Sequence, residues 1–127
     1  MQQSDYVVVA MPLVKDTHHI INATVFAQAK PNCIFINIGR GQLVDEVAMV
    51  DALNDKTVAA AALDVFAIEP LPVSSPLWDL ENVFISPHCA DMTINMKEMS
   101  VKLFTENCAR CLSNQDFSCV VNKTLGY

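Results

Sequence analysis

Four ionisable residues stand where reactive chemistry needs them. Arg40 lies between two glycines in FINIGRGQLVDE, Asp64 closes VAAAALDV, Glu69 precedes Pro70, and His88 follows Pro87. A guanidinium stays charged and presents a rigid fork of donors that matches a carboxylate. An imidazole titrates near neutrality, and a neighbouring carboxylate favours its protonated form. Gathered in one place, these groups would hold an anionic substrate and move a proton on or off it. Taken singly, each has an ordinary explanation: a solvated loop arginine, a turn carboxylate, a strand-end histidine bonded to backbone, an aspartate capping a turn.

What lifts them above that is their placement on the elements around them. Residues 6–10 (YVVVA) form a continuous apolar, β-branched run, which suits a strand covered on both faces. Asn22 is a good N-cap for a helix through about Lys30, with Val25 and Phe26 inward and Pro31 as its stop. Asn32 takes the positive φ of a tight turn before a second strand over 33–38. Asp45 caps a helix reaching Asn54, with Ala48, Met49, Ala52 and Leu53 as its apolar stripe. Strands follow at 58–65 and 82–86, separated by a connection that Pro70, Pro72 and Pro76 keep non-helical. A long helix over 91–112 precedes an irregular tail. Its stripe of Met92, Met96, Met99 and Leu103, with Phe104, Cys108 and Cys111 behind, reads as core-facing.

Strand and helix alternating in this way predict a small, half-covered parallel α/β sheet with right-handed crossovers. Ligands of such sheets bind beyond the carboxyl ends of the strands. The four exits here are Met11-Pro12, Gly39-Arg40-Gly41, Asp64 with Glu69 just beyond, and Pro87-His88. Three of them carry ionisable groups, while the strand interiors carry none. Scattered surface charge does not sort itself in that way.

Composition removes several classes of function. The chain has 127 residues, 52% hydrophobic, enough for one globular domain, and no apolar run approaches the ~20 residues of a membrane span. The N-terminal stretch lacks the pattern of a signal peptide, so an intracellular, cytoplasmic protein is expected. A formal charge of −6 without a Lys/Arg cluster argues against a nucleic-acid or membrane partner. The five cysteines, Cys108-x-x-Cys111 included, read as reduced packing thiols, and no metal site is expected. Asn-x-Thr at Asn22 and Asn122 has no evident secretory route to make use of it. His18 and His19 read as surface residues, and Trp78 as a packing anchor. With three glycines in all, Gly39, Gly41 and Gly126, the chain contains no G-x-G-x-x-G dinucleotide fingerprint.

The strings INIGRGQLVDE and ALDVFAIEPLPVSSPLWDLENVFISPH resemble the C-terminal half of the nucleotide-binding domain of D-isomer-specific 2-hydroxyacid dehydrogenases. The ending VVNKTLGY is similar to the tail of the glyoxylate/hydroxypyruvate reductase-like branch, and the likeness extends from Ser4 to Tyr127. The resemblance implies the second half of a Rossmann-type doubly wound parallel sheet over residues 1–90. Residues 91–127 would be a C-terminal helix and tail that pack back on a substrate domain lying outside these residues. It implies NAD or NADP as cofactor, a 2-keto or 2-hydroxy acid as substrate, and a homodimer in the intact protein. Arg40, Glu69 and His88 match the family's substrate arginine, acid partner and acid/base histidine. Pro12 and Thr17 match the P-x-x-x-x-T loop that approaches the cofactor ribose. Ile38, Gly39 and Arg40 match the nicotinamide side, joined there by Asp64, His88 and Ala90.

Three positions depart from the family pattern: Asp91 where a small residue is usual, Val14 for threonine, and Asn32 for glycine. The glycine-rich half that grips the pyrophosphate and selects NAD or NADP has no counterpart in these residues. Catalysis by the chain alone is therefore not expected. Two other readings are compatible with the sequence: a nucleotide-sensing, corepressor-like binding protein, and a degenerate fragment that acts by association.

Overall fold

The computed structural model describes residues 1–127. The chain divides into two compact units, Met1–Cys89 and Ala90–Tyr127. The first contains four parallel strands in sequential order: β1 (Tyr6–Val9), β2 (Ile34–Asn37), β3 (Ala60–Leu63) and β4 (Val83–Ile85). Register pairs Val9 with Asn37 and Asn37 with Leu63, and Leu63 with Ile85, so the four exits lie side by side along one edge. The expected parallel α/β architecture is what the residues form.

Two helices, α1 (Ala23–Phe26) and α2 (Glu46–Asn54), pack with one face of the sheet. Phe26, Met49 and Leu53 join Val9, Phe35, Ala61 and Leu63 in the core. The rings of Phe26 and Phe35 meet edge-on, 5.3 Å between centroids, an arrangement adding about 0.5–1.5 kcal/mol to their burial. Side chains alternate across a strand, so Tyr6, Val8 and Phe84 project from the opposite face, where they are 66%, 54% and 70% exposed. The sheet is covered on one side within this unit.

Local chemistry explains most element ends and corrects two expectations. Asn22 caps α1 through Oδ1, which accepts from the Thr24 and Val25 N–H groups. The helix stops at Phe26 rather than running to Lys30. Beyond it, Gln28 N–H bonds to Val25 and Ala29 N–H to Phe26, three-residue bonds that tighten the chain into a turn. Pro31, with no N–H, cannot extend the ladder to Ala27. Asn32 does not enter the positive-φ region; Lys56, just after α2, does, with φ 57°. There it closes the helix in the left-handed conformation that usually favours glycine.

The second unit consists of α3 (Met96–Leu112) and a tail that folds onto it. Asn107 secures that fold: its Oδ1 accepts from Ser118 N–H at 2.9 Å and its Nδ2 donates to Ser118 O. The helix begins at Met96, five residues later than expected, because Thr93 N–H turns back to Asp91 O and Met96 N–H to Thr93 O. Its stripe is not a core. No residue of α3 is buried, and Met99 and Phe104 are 67% and 71% exposed. A segment shorter than about 40 residues rarely builds a core by itself. No helix of the structure is long and apolar enough to cross a membrane.

Candidate active site

The site begins with an asparagine. Asn37 ends β2 with its side chain buried, Oδ1 accepting from Gly39 N–H and Nδ2 donating to Arg40 O, each at 3.1 Å. This closes the turn that follows the strand and leaves Ile38 facing outward, 44% exposed. Gly39 is packed so closely that a Cβ would come within 2.9 Å of Leu43 Cδ1 and 3.1 Å of Met11 O. Arg40 is extended (φ −141°), and its Nη1 donates to Gly39 O at 2.7 Å, leaving the rest of the guanidinium fork for a ligand.

Gly41 serves contact with the protein itself. A Cβ there would lie 1.8 Å from the Phe66 carbonyl carbon and 2.3 Å from Ala67 N. The loop after β2 therefore rests directly on the backbone of the loop after β3. That second loop carries Glu69, whose Oε1 accepts from Phe66 N–H at 2.9 Å. Ala67 N–H is taken by Glu46 Oε2 at 3.1 Å, from the first turn of α2.

Glu69 Oε2 lies 2.7 Å from His88 Nδ1. Partial burial pushes the Glu69 carboxyl up. Its hydrogen bonds with His88 and Phe66 N–H, and the charges of His88 and Arg40, outweigh that and hold it below the usual carboxylate range. An ionised carboxylate only accepts, so Nδ1 carries the proton of this contact and Nε2 is the nitrogen left to exchange one. His88 itself has φ 51°, a left-handed conformation costing a residue with a Cβ about 1–2 kcal/mol. Asp64 supports it. Its Oδ1, almost fully buried, accepts from Ser86 Oγ at 2.5 Å and from Cys89 N–H at 2.9 Å, which pins both sides of the histidine.

Arg40, Glu69 and His88 thus meet, together with Leu13, Gly41, Gln42, Phe66 and Ala67, around a cleft of about 210 Å³. Behind the Glu69–His88 pair lies a more apolar cleft of about 510 Å³, walled by Phe66, Leu71, Trp78, Ile85 and Pro87 among others. Trp78 is therefore not the expected packing anchor. It is half exposed and donates Nε1–H to Pro72 O, while its neighbour Leu77 is the buried residue.

The remaining expected residues fall as follows. Thr17 Oγ1 donates to Pro12 O and accepts from Val14 N–H, closing the loop after β1 on itself. Ala90 opens the second unit. His18 and His19 are exposed and stack on each other at 4.0 Å. All five cysteines are free; burial pushes the Cys33 thiol up, which keeps it an inert core residue. No group of three or more His, Cys, Asp or Glu side chains is arranged to hold a metal ion. Sequence reasoning passed over Asn37, Glu46 and Ser86. An asparagine inside an apolar strand was a signal for the first; for the other two, the partners are 21 and 22 residues away.

Residues 1–90 match the family described as D-isomer specific 2-hydroxyacid dehydrogenase, NAD binding domain. The chain belongs to that family. Glyoxylate/hydroxypyruvate reductase B of Pectobacterium atrosepticum is 44% identical over 115 residues, which are 91% of this chain and 36% of that protein. Among solved structures, the D-isomer specific 2-hydroxyacid dehydrogenase of Xanthobacter autotrophicus Py2, in complex with NADPH and MES, superposes with a TM-score of 0.90. It is 39% identical and covers 98% of this chain and 50% of its own. The NADPH-dependent glyoxylate/hydroxypyruvate reductase of Sinorhizobium meliloti, in complex with NADP and sulfate, also gives 0.90, at 34% identity over 99% of this chain and 41% of its own. The chain thus spans half or less of the length of these relatives. The likeness covers the arginine loop, the Asp64–Glu69 loop and the histidine in one order, the segments that build the cleft.

Proposed function

We propose that this chain forms the reactive half of an NAD(P)-dependent oxidoreductase that interconverts 2-keto acids and D-2-hydroxy acids, reducing glyoxylate or hydroxypyruvate. The observation that carries this reading is the Glu69–His88 pair sharing a cleft with Arg40.

The residues present fit the nicotinamide end of a dinucleotide. Ile38 offers an exposed apolar surface beside the Gly39 backbone at the carboxyl edge of the sheet, with Arg40 and His88 adjacent in function. Pro12 and Thr17 would complete that surface, with the buried Asp64 supporting it from within through Ser86 and Cys89. The pyrophosphate grip needs a glycine-rich strand-turn-helix, and three glycines, two of them used as described, do not provide it. We place that grip, the choice between NAD and NADP, and the opposing wall of the cleft in further polypeptide, and the working enzyme in a homodimer. Five free cysteines suit the reducing cytoplasm.

When bound, the reduced nicotinamide supplies a hydride to the carbonyl carbon. Arg40 holds the substrate carboxylate with its free N–H groups and polarises the keto oxygen. His88 Nε2 gives its proton to that oxygen as it becomes an alkoxide, and takes one back in the oxidative direction. Glu69 keeps the ring oriented through Nδ1–H. Positioning of this kind converts a collision into a directed transfer.

The test is nicotinamide-coupled turnover of hydroxypyruvate and glyoxylate by a protein joining these residues to a complete nucleotide-binding and substrate domain. His88→Ala is expected to lower kcat by about 10²–10⁴-fold; unchanged turnover would refute the assignment. The 127-residue chain alone is expected to show no steady-state turnover, and measurable turnover by the pure chain would overturn the division of labour.

A further inference from the structure

The backbone at Phe66 and Ala67 is held on three sides. Gly41 presses on it so tightly that a Cβ would overlap the Phe66 carbonyl carbon at 1.8 Å. Phe66 N–H is taken by Glu69 Oε1 from within the same loop. Ala67 N–H is taken by Glu46 Oε2, which reaches across from α2. Two of these contacts join residues on the arginine side of the cleft to the loop that carries Glu69.

Glu46 is the first residue of α2, directly after the N-cap Asp45, whose own Oδ1 accepts from Ala48 N–H. A glutamate in a first turn usually serves the helix by facing its dipole. Here the carboxylate also accepts a charge-assisted bond from a peptide 21 residues away. The helix start is itself tied to the arginine loop: Val44 N–H donates to Gly41 O, while Asp45 N–H donates to Ile21 O and Ile21 N–H to Leu43 O. One continuous chain of bonds thus runs from Arg40 through Gly41 and Glu46 to Ala67, Phe66 and Glu69, and from there to His88.

We propose that Glu46 is a positioning residue for the active site, the strut that sets the distance between the substrate-binding guanidinium and the Glu69–His88 acid/base pair. The inference rests on the reading that Arg40, Glu69 and His88 act on one substrate. It adds that their register is not set by the strands alone. The loop of residues 64–69 carries its own hydrogen bond from Phe66 to Glu69, which closes it internally but does not orient it toward Arg40. Glu46 and the Gly41 contact supply that orientation.

The strut is tested first in the 127-residue chain, without catalysis, by NMR. Two signals are followed: exchange of the Ala67 amide hydrogen and titration of the Glu69 side-chain carboxyl. Glu46→Ala is expected to speed Ala67 exchange by about 10-fold or more, as a part-buried bond is traded for solvent. It should also move the Glu69 midpoint upward, toward the ordinary carboxylate range, as the Phe66 and His88 contacts loosen. Glu46→Gln keeps an acceptor oxygen and should preserve both signals. Asp45→Ala removes a helix cap of similar structural weight and should leave the Glu69 midpoint in place. The proposal fails if Glu46→Ala leaves both signals unchanged, or if Asp45→Ala shifts the Glu69 midpoint as far.

In the protein joined to complete domains, Glu46→Ala should lower kcat about 10-fold or more with KM for the keto acid raised, and Glu46→Gln should restore most of both. Normal kcat and KM in Glu46→Ala would refute the positioning role even with the NMR changes present. Absence of turnover in the unmutated joined protein would refute the proposed function and leave the NMR result to decide the strut.

Discussion

The two ends of the parallel sheet use the same materials for different purposes. At the amino ends of β2, β3 and β4 lies a hollow of about 680 Å³, larger than either cleft at the carboxyl ends, lined by Asn32, Asn54, Lys56, Asp79, Glu81 and Asn82 among others. It is rich in polar and charged side chains, yet none of its ionisable groups is paired with another. Asn82 at this end bonds to Leu53 O and Ala59 O and ties α2 to β3. Asn37 at the other end also bridges two backbone groups, but those groups belong to the loop that presents Arg40. Each end even has a residue in the left-handed region: Lys56, which closes a helix, and His88, which faces a carboxylate. Volume and polarity do not mark the site. Ionisable groups held in contact by buried supports do.

This contrast predicts unequal outcomes for matched substitutions. The largest difference is expected between cations. In a turnover assay of the joined protein, Arg40→Ala should lower kcat/KM by about 10²–10³-fold, whereas Lys56→Ala should leave it unchanged. Equal losses would erase the distinction between the ends.

Next comes Gly41→Ala. Its methyl group would overlap the Phe66–Ala67 backbone, and overpacking of this kind costs about 1–3 kcal/mol or more. Denaturant melts should show that loss, with disturbed Glu69 and His88 resonances. A stable Gly41→Ala chain with an unperturbed site would show that the two loops are free to separate.

The matched asparagines come third. Asn37→Ala and Asn82→Ala should each destabilise by about 1–3 kcal/mol, since each strands backbone groups that are buried or partly buried. Only Asn37→Ala should also weaken substrate binding by the joined protein, measured at temperatures where both variants are folded. A comparable binding defect in Asn82→Ala would remove the argument for a special role of the β2 exit.

Lys56→Gly should stabilise the chain by up to about 1 kcal/mol without touching turnover, because glycine adopts the left-handed conformation without the Cβ penalty. A lower melting temperature would contradict that account.

The smallest effect concerns pH. The Glu69 carboxyl is held low in the folded chain, so the stability it contributes is complete above its unfolded value and is lost as pH falls through the lower folded value. Glu69→Gln should flatten that acid limb slightly. The effect is small because the side chain is 34% exposed and water screens it. An unaltered acid limb would show that the His88 contact contributes nothing to stability.

Much of the sheet was legible because a parallel strand has to be apolar along its length. The runs YVVVA and CIFINI, and the alanine-rich stretch before Asp64, satisfy that condition and bear the strands expected of them. The ionisable side chains at the exits were legible for the complementary reason: charged groups are excluded from such strands and collect beyond them. The shortfall of α1 was harder to see, since Pro31 acts on a bond four residues back. The α3 stripe gave the right period for an amphipathic helix but no information about what covers it. Trp78 and Leu77 stand side by side in SPLWDL, and only the fold decides which of the two is buried.

Sequence alone determined the alternation of strands and helices, the absence of a phosphate-binding glycine motif, and which ionisable residues sit at strand exits. These follow from short-range rules: period, capping, and the cost of burying an unpaired charge. Tertiary structure decided that Gly41 lies against Phe66, that Glu46 reaches Ala67, and that Glu69 meets His88. Those contacts join residues 19 to 25 positions apart, and their geometry depends on how the strands stack side by side, which no local pattern encodes.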